Sequence, residues 1–447
     1  MSKITSKNKI LYGIIFFCFV TAPTITSIVF ASDDRAASTS SYNDTLIGLA
    51  VGGLLGGGGG TAIGSPFGHV GTGAIIGAEA GAIGGALLGA FMGDRQQGNQ
   101  QVNNKDLSQP PRWTFSEEAI IFDRVGTDKW TLVERVSPSA PENGIGNTFG
   151  IKALDSTDLN QGYSAGMKLG VAYRLDPSDD ISLSFFRSGN WDSRISNGPA
   201  IGPDNPLNWL VMRAPAGDFY QTQNFTFQSM IWDYSTELYN AEINMQHKLS
   251  DRVRILAGFR WLQLHENLKG DLQPEDPFLS LALANPNNTL YDIQRIETQG
   301  GIAIPPPPPF WNTSTTNNLY GFQIGVDGKI LEYRHFSINA MIKGGPYLNH
   351  ASQLTGVSMT KTIFEAGSST NHAAFVGEGG LQCKYQITSA ITLKLGYEVL
   401  WLEGVALAPG QIGKTYIIYP ATANSLGVNS DSNVLFHGAT AGLEFSF

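Results

Sequence analysis

Cysteine is almost missing from these 447 residues: two occur, and Cys18 lies within the first thirty. With that segment removed Cys383 stands alone, so the mature chain is expected to form no intramolecular disulfide. Charge is scarce too, at 15% of residues against a usual share of about 25%. The balance is acidic, with a formal net charge of -9, which argues against nucleic acid as a partner. Histidine, acid and cysteine do not fall at metal-ligand spacing. His350 and His372 sit in a stretch without a second ligand nearby, so no metal and no cofactor are expected. Nor does a nucleophile and base pattern emerge. Only His247 lies well inside a periodic segment, on an apolar face, where an interfacial residue is commoner than a catalytic base. The chain is not expected to be an enzyme.

What is present begins with Lys3, Lys7 and Lys9, an apolar run from Ile10 to Val20, and "SIVFASDD" with compact residues at Val29 and Ala31. This has the form of a secretory signal over residues 1–31. A polar spacer (32–44), a glycine-rich block (45–93) and a Gln/Asn/Pro linker (94–111) follow. From residue 112 to 447 the text changes to segments of period two.

In the clearest of these, Tyr163, Ala165, Met167, Leu169, Val171, Tyr173 and Leu175 alternate with small or charged residues. The pattern recurs around Ile181 to Phe185, Tyr239 to Met245, Val253 to Trp261, Tyr320 to Val326, Phe336 to Ile342, Phe375 to Tyr385, Ile391 to Trp401 and Ala439 to Phe447. A soluble sandwich would alternate in the same way, but the connections discriminate. Short turns at 176–179, 250–251, 331–335 and 388–389 alternate with long connections near 188–228, 265–317, 348–371 and 402–432. That asymmetry belongs to transmembrane β-barrels. Parity requires one further strand before residue 163, and "WTFSEEAIIFDR" (113–124) supplies it. The expectation is an all-β antiparallel barrel of ten strands, or twelve if "KWTLVERV" and a partner join. Tyr173, Phe336, Tyr385, Phe445 and Phe447 fall near short-turn ends, and Tyr163, Trp261, Tyr320 and Trp401 near long-loop ends, as two interfacial belts would require.

On these segments and the terminal "AGLEFSF" the chain resembles bacterial outer-membrane β-barrel proteins from residue 112 to 447. The runs "WDYSTELYNAEIN" and "LAGFRWLQL" are similar to a hairpin of porin-like barrels of planctomycete-type bacteria. The resemblance implies a location in the outer membrane, contact with the lipid bilayer, and insertion by the barrel-assembly machinery through Leu443, Phe445 and Phe447. It also implies a passive pore in most members, with adhesins, structural anchors and lipid-modifying enzymes among the rest.

The alternation defines an inward set: Lys168, Arg174, Lys248, Arg254, Arg260, Lys329, Lys343, Lys384 and Lys394, with Glu242, Asp327, Glu378, Glu398 and Glu444. Two readings follow. The lumen is a narrow polar pore with a mild preference for anions, or the charges pair across it and plug it, leaving a structural or adhesive surface protein. Within the long connection before Asn318, Pro305 to Pro309 impose an extended conformation. Phe310 and Trp311 then either meet another molecule or fold back over the mouth.

In the glycine-rich block, Gly48, Gly52, Gly56, Gly60, Gly64 and Gly68 keep a four-residue step, and so do Gly73, Gly77, Gly81, Gly85, Gly89 and Gly93. "SPFGH" separates the two runs. Glycine on one face lets helices pack closely in lipid, and the second run as a helix is about 30 Å long, a bilayer core. A helical hairpin outside the barrel is expected, too wide for a ten-strand lumen, with homo-oligomerisation through its glycines as one use. Glu79 is its discordant residue. A flexible glycine spacer is the other reading of this block.

Overall fold

A computed structural model describes residues 111–136, 151–198, 209–211, 227–274, 297–299, 302–304, 310–358, 363–418 and 422–447. The signal segment, the glycine-rich block with Gly73 to Gly93, most of the linker, and Pro305 to Pro309 lie outside those residues.

Ten strands form the barrel: β1 (Trp113–Val125), β2 (Tyr163–Arg174), β3 (Asp179–Ser188), β4 (Phe227–Lys248), β5 (Val253–Pro274), β6 (Phe310–Tyr333), β7 (Phe336–Ser358), β8 (Ile363–Gln386), β9 (Ile391–Val405) and β10 (Ser432–Ser446). Every strand is antiparallel to its neighbours. β1 pairs with β10 and closes the ring, for example Ala119 opposite Ala441 and Met167. Closure satisfies the backbone of the lower strands and leaves no edge there, which is what a sheet in lipid requires. Higher up, among the described residues, Ile363 to Ala374 of β8 pairs with β7 alone. The twelve-strand alternative does not form. "KWTLVERV" does give a strand, Thr131–Val136, but it pairs with Ile151–Asp155 and Trp209–Val211 as a side branch off β4.

The short turns stand where expected, but several long connections are shorter than the sequence implied. β4 to β8 run for 22 to 24 residues, about twice the 9 to 11 that cross a bilayer. The reason is that the outward apolar row stops partway up each strand, and on β4 and β5 an inward apolar row takes its place. On β6 the outward residues are Tyr320, Phe322, Ile324 and Val326 in the lower half, and Asn312, Ser314, Thr316 and Asn318 above them. The inward residues are polar below at Gln323 and mixed above, with Leu319 and Trp311 flanking Asn317, Thr315 and Thr313. β5 makes the switch between outward Trp261 and inward Leu262, Leu264, Leu268 and Leu272. The lower half faces lipid; the upper half is a water-facing barrel with its own apolar interior.

The lipid-facing belt is built from Ile243, Met245, Phe259, Phe322, Ile324, Ile342, Leu348, Leu381, Leu395 and Leu443, all exposed. Along β9 it extends from Leu393 to Trp401, about 26 Å along the strand and about 20 Å of height at a tilt of about 40°. Tyr320, opposite Trp261 on β5, lies at its upper rim.

Candidate functional site: the barrel lumen

The inward row of each lower strand meets in one cavity of about 740 Å³ that opens at the short-turn end. Lys168, Arg174, Glu242, Lys248, Arg254, Asp327, Lys329, Lys343, Lys384, Lys394, Glu398 and Glu444 line it. Arg260 and Glu378 stand just above, buried and joined at 2.7 Å. Alternation places these groups together because residues two apart share a face, and the β1–β10 closure brings the first strand against the last.

Each of the nine inward bases has an acidic partner. Lys168 pairs with Glu398 at 2.7 Å, Lys343 with Glu242 at 2.7 Å and Glu378 at 3.2 Å, and Lys384 with Glu444 at 3.0 Å. Lys394 bonds Glu118. Asp180 holds Arg254 at 3.0 Å and Arg174 at 3.6 Å. At the mouth Lys248 meets Asp251 and Lys329 meets Glu332, each at 2.7 Å. Sequence reasoning counted five acids and expected a positive excess. Four further acids belong to this set: Glu118 on β1, Asp180 on β3, Glu332 at the end of β6, and Asp251 in the β4–β5 turn. With these four the nine bases face nine acids, but Arg112 and Arg252 also line the cavity, so an excess of two positive charges remains in place of the four expected.

Above the charged layer the lumen is filled. A first apolar layer contains Phe122, Trp191, Leu238, Leu262, Leu264, Leu319, Leu400, Leu402 and Phe436, and a second contains Met230, Trp232, Tyr234, Leu268, Leu272, Trp311, Val357 and Ile412. Trp311 is one of the side chains the sequence offered as a surface contact. It is instead buried here, its indole donating to Thr313 at 2.8 Å. Trp232 lies over Gly270, its cross-strand partner, where a Cβ would stand 2.8 Å from the indole ring.

One segment of the chain completes the seal. At the end of β9 the backbone turns inward at Gly404, with φ +78°, instead of continuing outward as a loop. Val405, Ala406, Leu407, Ala408 and Ile412 are fully buried, with a one-turn helix at Ala408–Gln411. Asn317 grips this segment through both amide atoms, accepting from the Ala406 nitrogen at 2.7 Å and donating to the Ala406 carbonyl at 2.8 Å. Asn349 donates to the Gly404 carbonyl at 2.9 Å.

Between the apolar layers lies a buried charged node. Arg124 is bonded to Glu266, Tyr234 donates to Glu266 at 2.7 Å, and Thr236 bridges Glu266 at 3.3 Å and Gln161 at 2.9 Å. The Ala408 nitrogen donates to the same carboxylate at 2.9 Å, so the inserted segment is fastened to it. Nearby, outside the membrane-spanning strands, Asp128 approaches the Ser432 hydroxyl at 2.6 and 2.7 Å. Burial lifts the Asp128 carboxyl above its ordinary range, and the Ser432 bond opposes the rise.

The other residues singled out in the sequence are dispersed. His247 is exposed on the outer side near a short turn and contacts Asp179 at 2.7 Å. His350 lies on a strand, not a loop, and bonds Asn371 at 2.9 Å, while His372 stands 3.9 Å from Asp431. Leu443, Phe445 and Phe447 follow one row of the outward side of the terminal strand.

No protein-family model matches the chain, and no curated protein does. Among solved structures it is similar to the outer membrane protease OmpT from Escherichia coli, at 12% identity and a TM-score of 0.41, over 76% of this chain and 98% of that one. It is also similar to the translocator domain of autotransporter NalP from Neisseria meningitidis (8% identity, TM-score 0.32, 80% and 97% covered). A third likeness is to Ail, the attachment invasion locus protein of Yersinia pestis (7% identity, TM-score 0.21, 75% and 99% covered). These likenesses are shallow; closed pairing, even strand number and the apolar belt carry the assignment. The chain is a transmembrane β-barrel of the outer-membrane class.

Proposed function

We propose that this barrel is a sealed, non-enzymatic protein of the bacterial outer membrane that works through its tall extramembrane surface as a structural or adhesive element. The observation that supports this reading is the lumen itself: two buried apolar layers and the inserted Gly404 to Lys414 segment lie across it above the charged cavity. An ion entering from the short-turn side meets packed apolar side chains, and the polar groups among them, such as Asn317, Asn349 and Glu266, are engaged with the protein itself, so its hydration shell is poorly replaced. In this reading Leu443, Phe445 and Phe447 serve the barrel-assembly machinery, and their outward row beside the closing strand supports that role.

Planar-bilayer recording of the full-length protein tests the proposal: the expected trace carries no steady current. A sustained current would restore the porin-like reading, a passive pore for small hydrophilic solutes. The cavity open at the short-turn end favours that alternative, because withdrawal of the inserted segment would extend it upward.

A further inference from the structure

The belt is not equally exposed around the barrel. On one wall Phe322, Ile324 and Ile342 have 74%, 73% and 68% of their surface accessible. Around β1 three outward residues, Ile121, Ala165 and Phe445, have only 9%, 8% and 8%, while Leu443 among them keeps 37%. These three belong to neither apolar layer of the lumen, and the alternation of their strands points them away from it. Ile121 lies between Ala165 and Ala439, and Ala119 between Ala441 and Met167, so small side chains make a shallow depression along β1 and β10 with Met167 at its side. One step lower Glu117 points outward between Leu169 and Leu443. A carboxyl against lipid tails is costly, and it needs a cover other than lipid.

We propose that this groove on the outer face of β1, β2 and β10 is the docking site of the chain's own glycine-rich segment, residues 45–93. Three properties select that occupant. The described chain begins at the foot of β1, where the Arg112 nitrogen donates to the Phe447 carbonyl at 2.7 Å, so the segment is tethered beside this face. The linker 94–111 spans up to about 60 Å when extended, ample to bring residue 93 alongside. The segment repeats Gly-Ala at 73–74, 77–78, 81–82, 85–86 and 89–90. On a helix this four-residue step makes a small-residue stripe about 30 Å long, matched in size and length to the alanine groove. Close approach of small residues gains dispersion contacts that lipid tails would not supply. Helix backbone then replaces hydrocarbon over Glu117.

Cross-linking in the full-length protein, with Cys383→Ser to remove the free thiol, tests the assignment. Ala119→Cys is combined in turn with Ala78→Cys, Ala82→Cys and Ala86→Cys and treated with a short thiol cross-linker. The expected product is an intrachain link, seen as a monomer of altered mobility. It should be absent when Ile324→Cys, on the open wall, replaces Ala119→Cys. A linked dimer from Ala119→Cys alone would overturn the proposal in favour of a second copy in the groove. Heat-modifiable, folded protein that links at none of the three positions would also overturn it. A second measurement avoids the paired variants: deletion of residues 45–93 should raise labelling of Ala119→Cys by a lipid-soluble maleimide several-fold. Unchanged labelling of the folded deletion protein overturns the proposal as well.

Discussion

Glu266 shows how a single buried charge can organise its surroundings. It has no exposed side-chain surface and receives Arg124, Tyr234, Thr236 and the Ala408 amide. Removing one partner of a buried pair leaves an uncompensated charge, so Glu266→Ala is expected to lower unfolding stability by about 3 to 5 kcal/mol. Replacing both partners by apolar residues, Arg124→Met with Glu266→Leu, should recover most of that loss. Urea titration of the lipid-folded protein, followed by tryptophan fluorescence, separates the two outcomes. Gly404 makes a second residue-scale case. Its φ of +78° lies in the left-handed region, and a Cβ there would stand 2.7 Å from the Ala373 carbonyl oxygen. Gly404→Ala should therefore cost at least about 1 to 2 kcal/mol in the same titration.

At the scale of the strand, the change of outward chemistry marks where lipid ends. Ile324 lies within the apolar belt, whereas Thr316 on the same row of β6 lies above it. Arginine at position 324 is expected to destabilise the barrel by about 2 to 4 kcal/mol. At position 316 it should stay within about 0.5 kcal/mol. Equal costs at the two sites would mean that the belt is misplaced. The same switch explains what the sequence could and could not convey. In the lower strands apolar residues point outward with period two; nine strands follow from that rhythm and the tenth, β1, from parity, while the acids Glu118, Asp180, Asp251 and Glu332 emerge only from the pairing. Above the belt the period persists but the apolar face changes side, as at Trp261 and Leu262, so an outward-apolar pattern breaks off and the strand reads as loop. The inserted segment was unreadable for another reason. "VALAPGQIGK" carries little periodicity, and its place inside the barrel depends on Asn317, Asn349 and Glu266, which are distant in the chain. Glu118 escaped notice because its pairing with Lys394 spans the ring closure, a contact that no local pattern announces.

The described residues form a cylinder with two different ends: a charged, water-accessible cavity at the short-turn end and a packed interior toward the long-loop end. That asymmetry determines access. Ser182 lines the lower cavity, whereas His350 is exposed on the outer wall above the belt. In proteoliposomes of known orientation, with Cys383→Ser as background, a small charged thiol reagent should modify Ser182→Cys from the short-turn face only. His350→Cys should react from the opposite face only, which serves as the control for orientation. If the reagent reached Ser182→Cys from both faces, it would have passed the apolar layers, and the lumen would be a pore. Shortening the inserted segment by deleting residues 406–412 should convert the first result into the second. That deletion removes Leu407 and Ile412 from the seal and leaves Glu266 without its bond from Ala408. Water that enters to solvate the node would then connect the charged cavity with the far side. Two-sided labelling of the deletion protein, with one-sided labelling of the intact chain, would identify this segment as the closure.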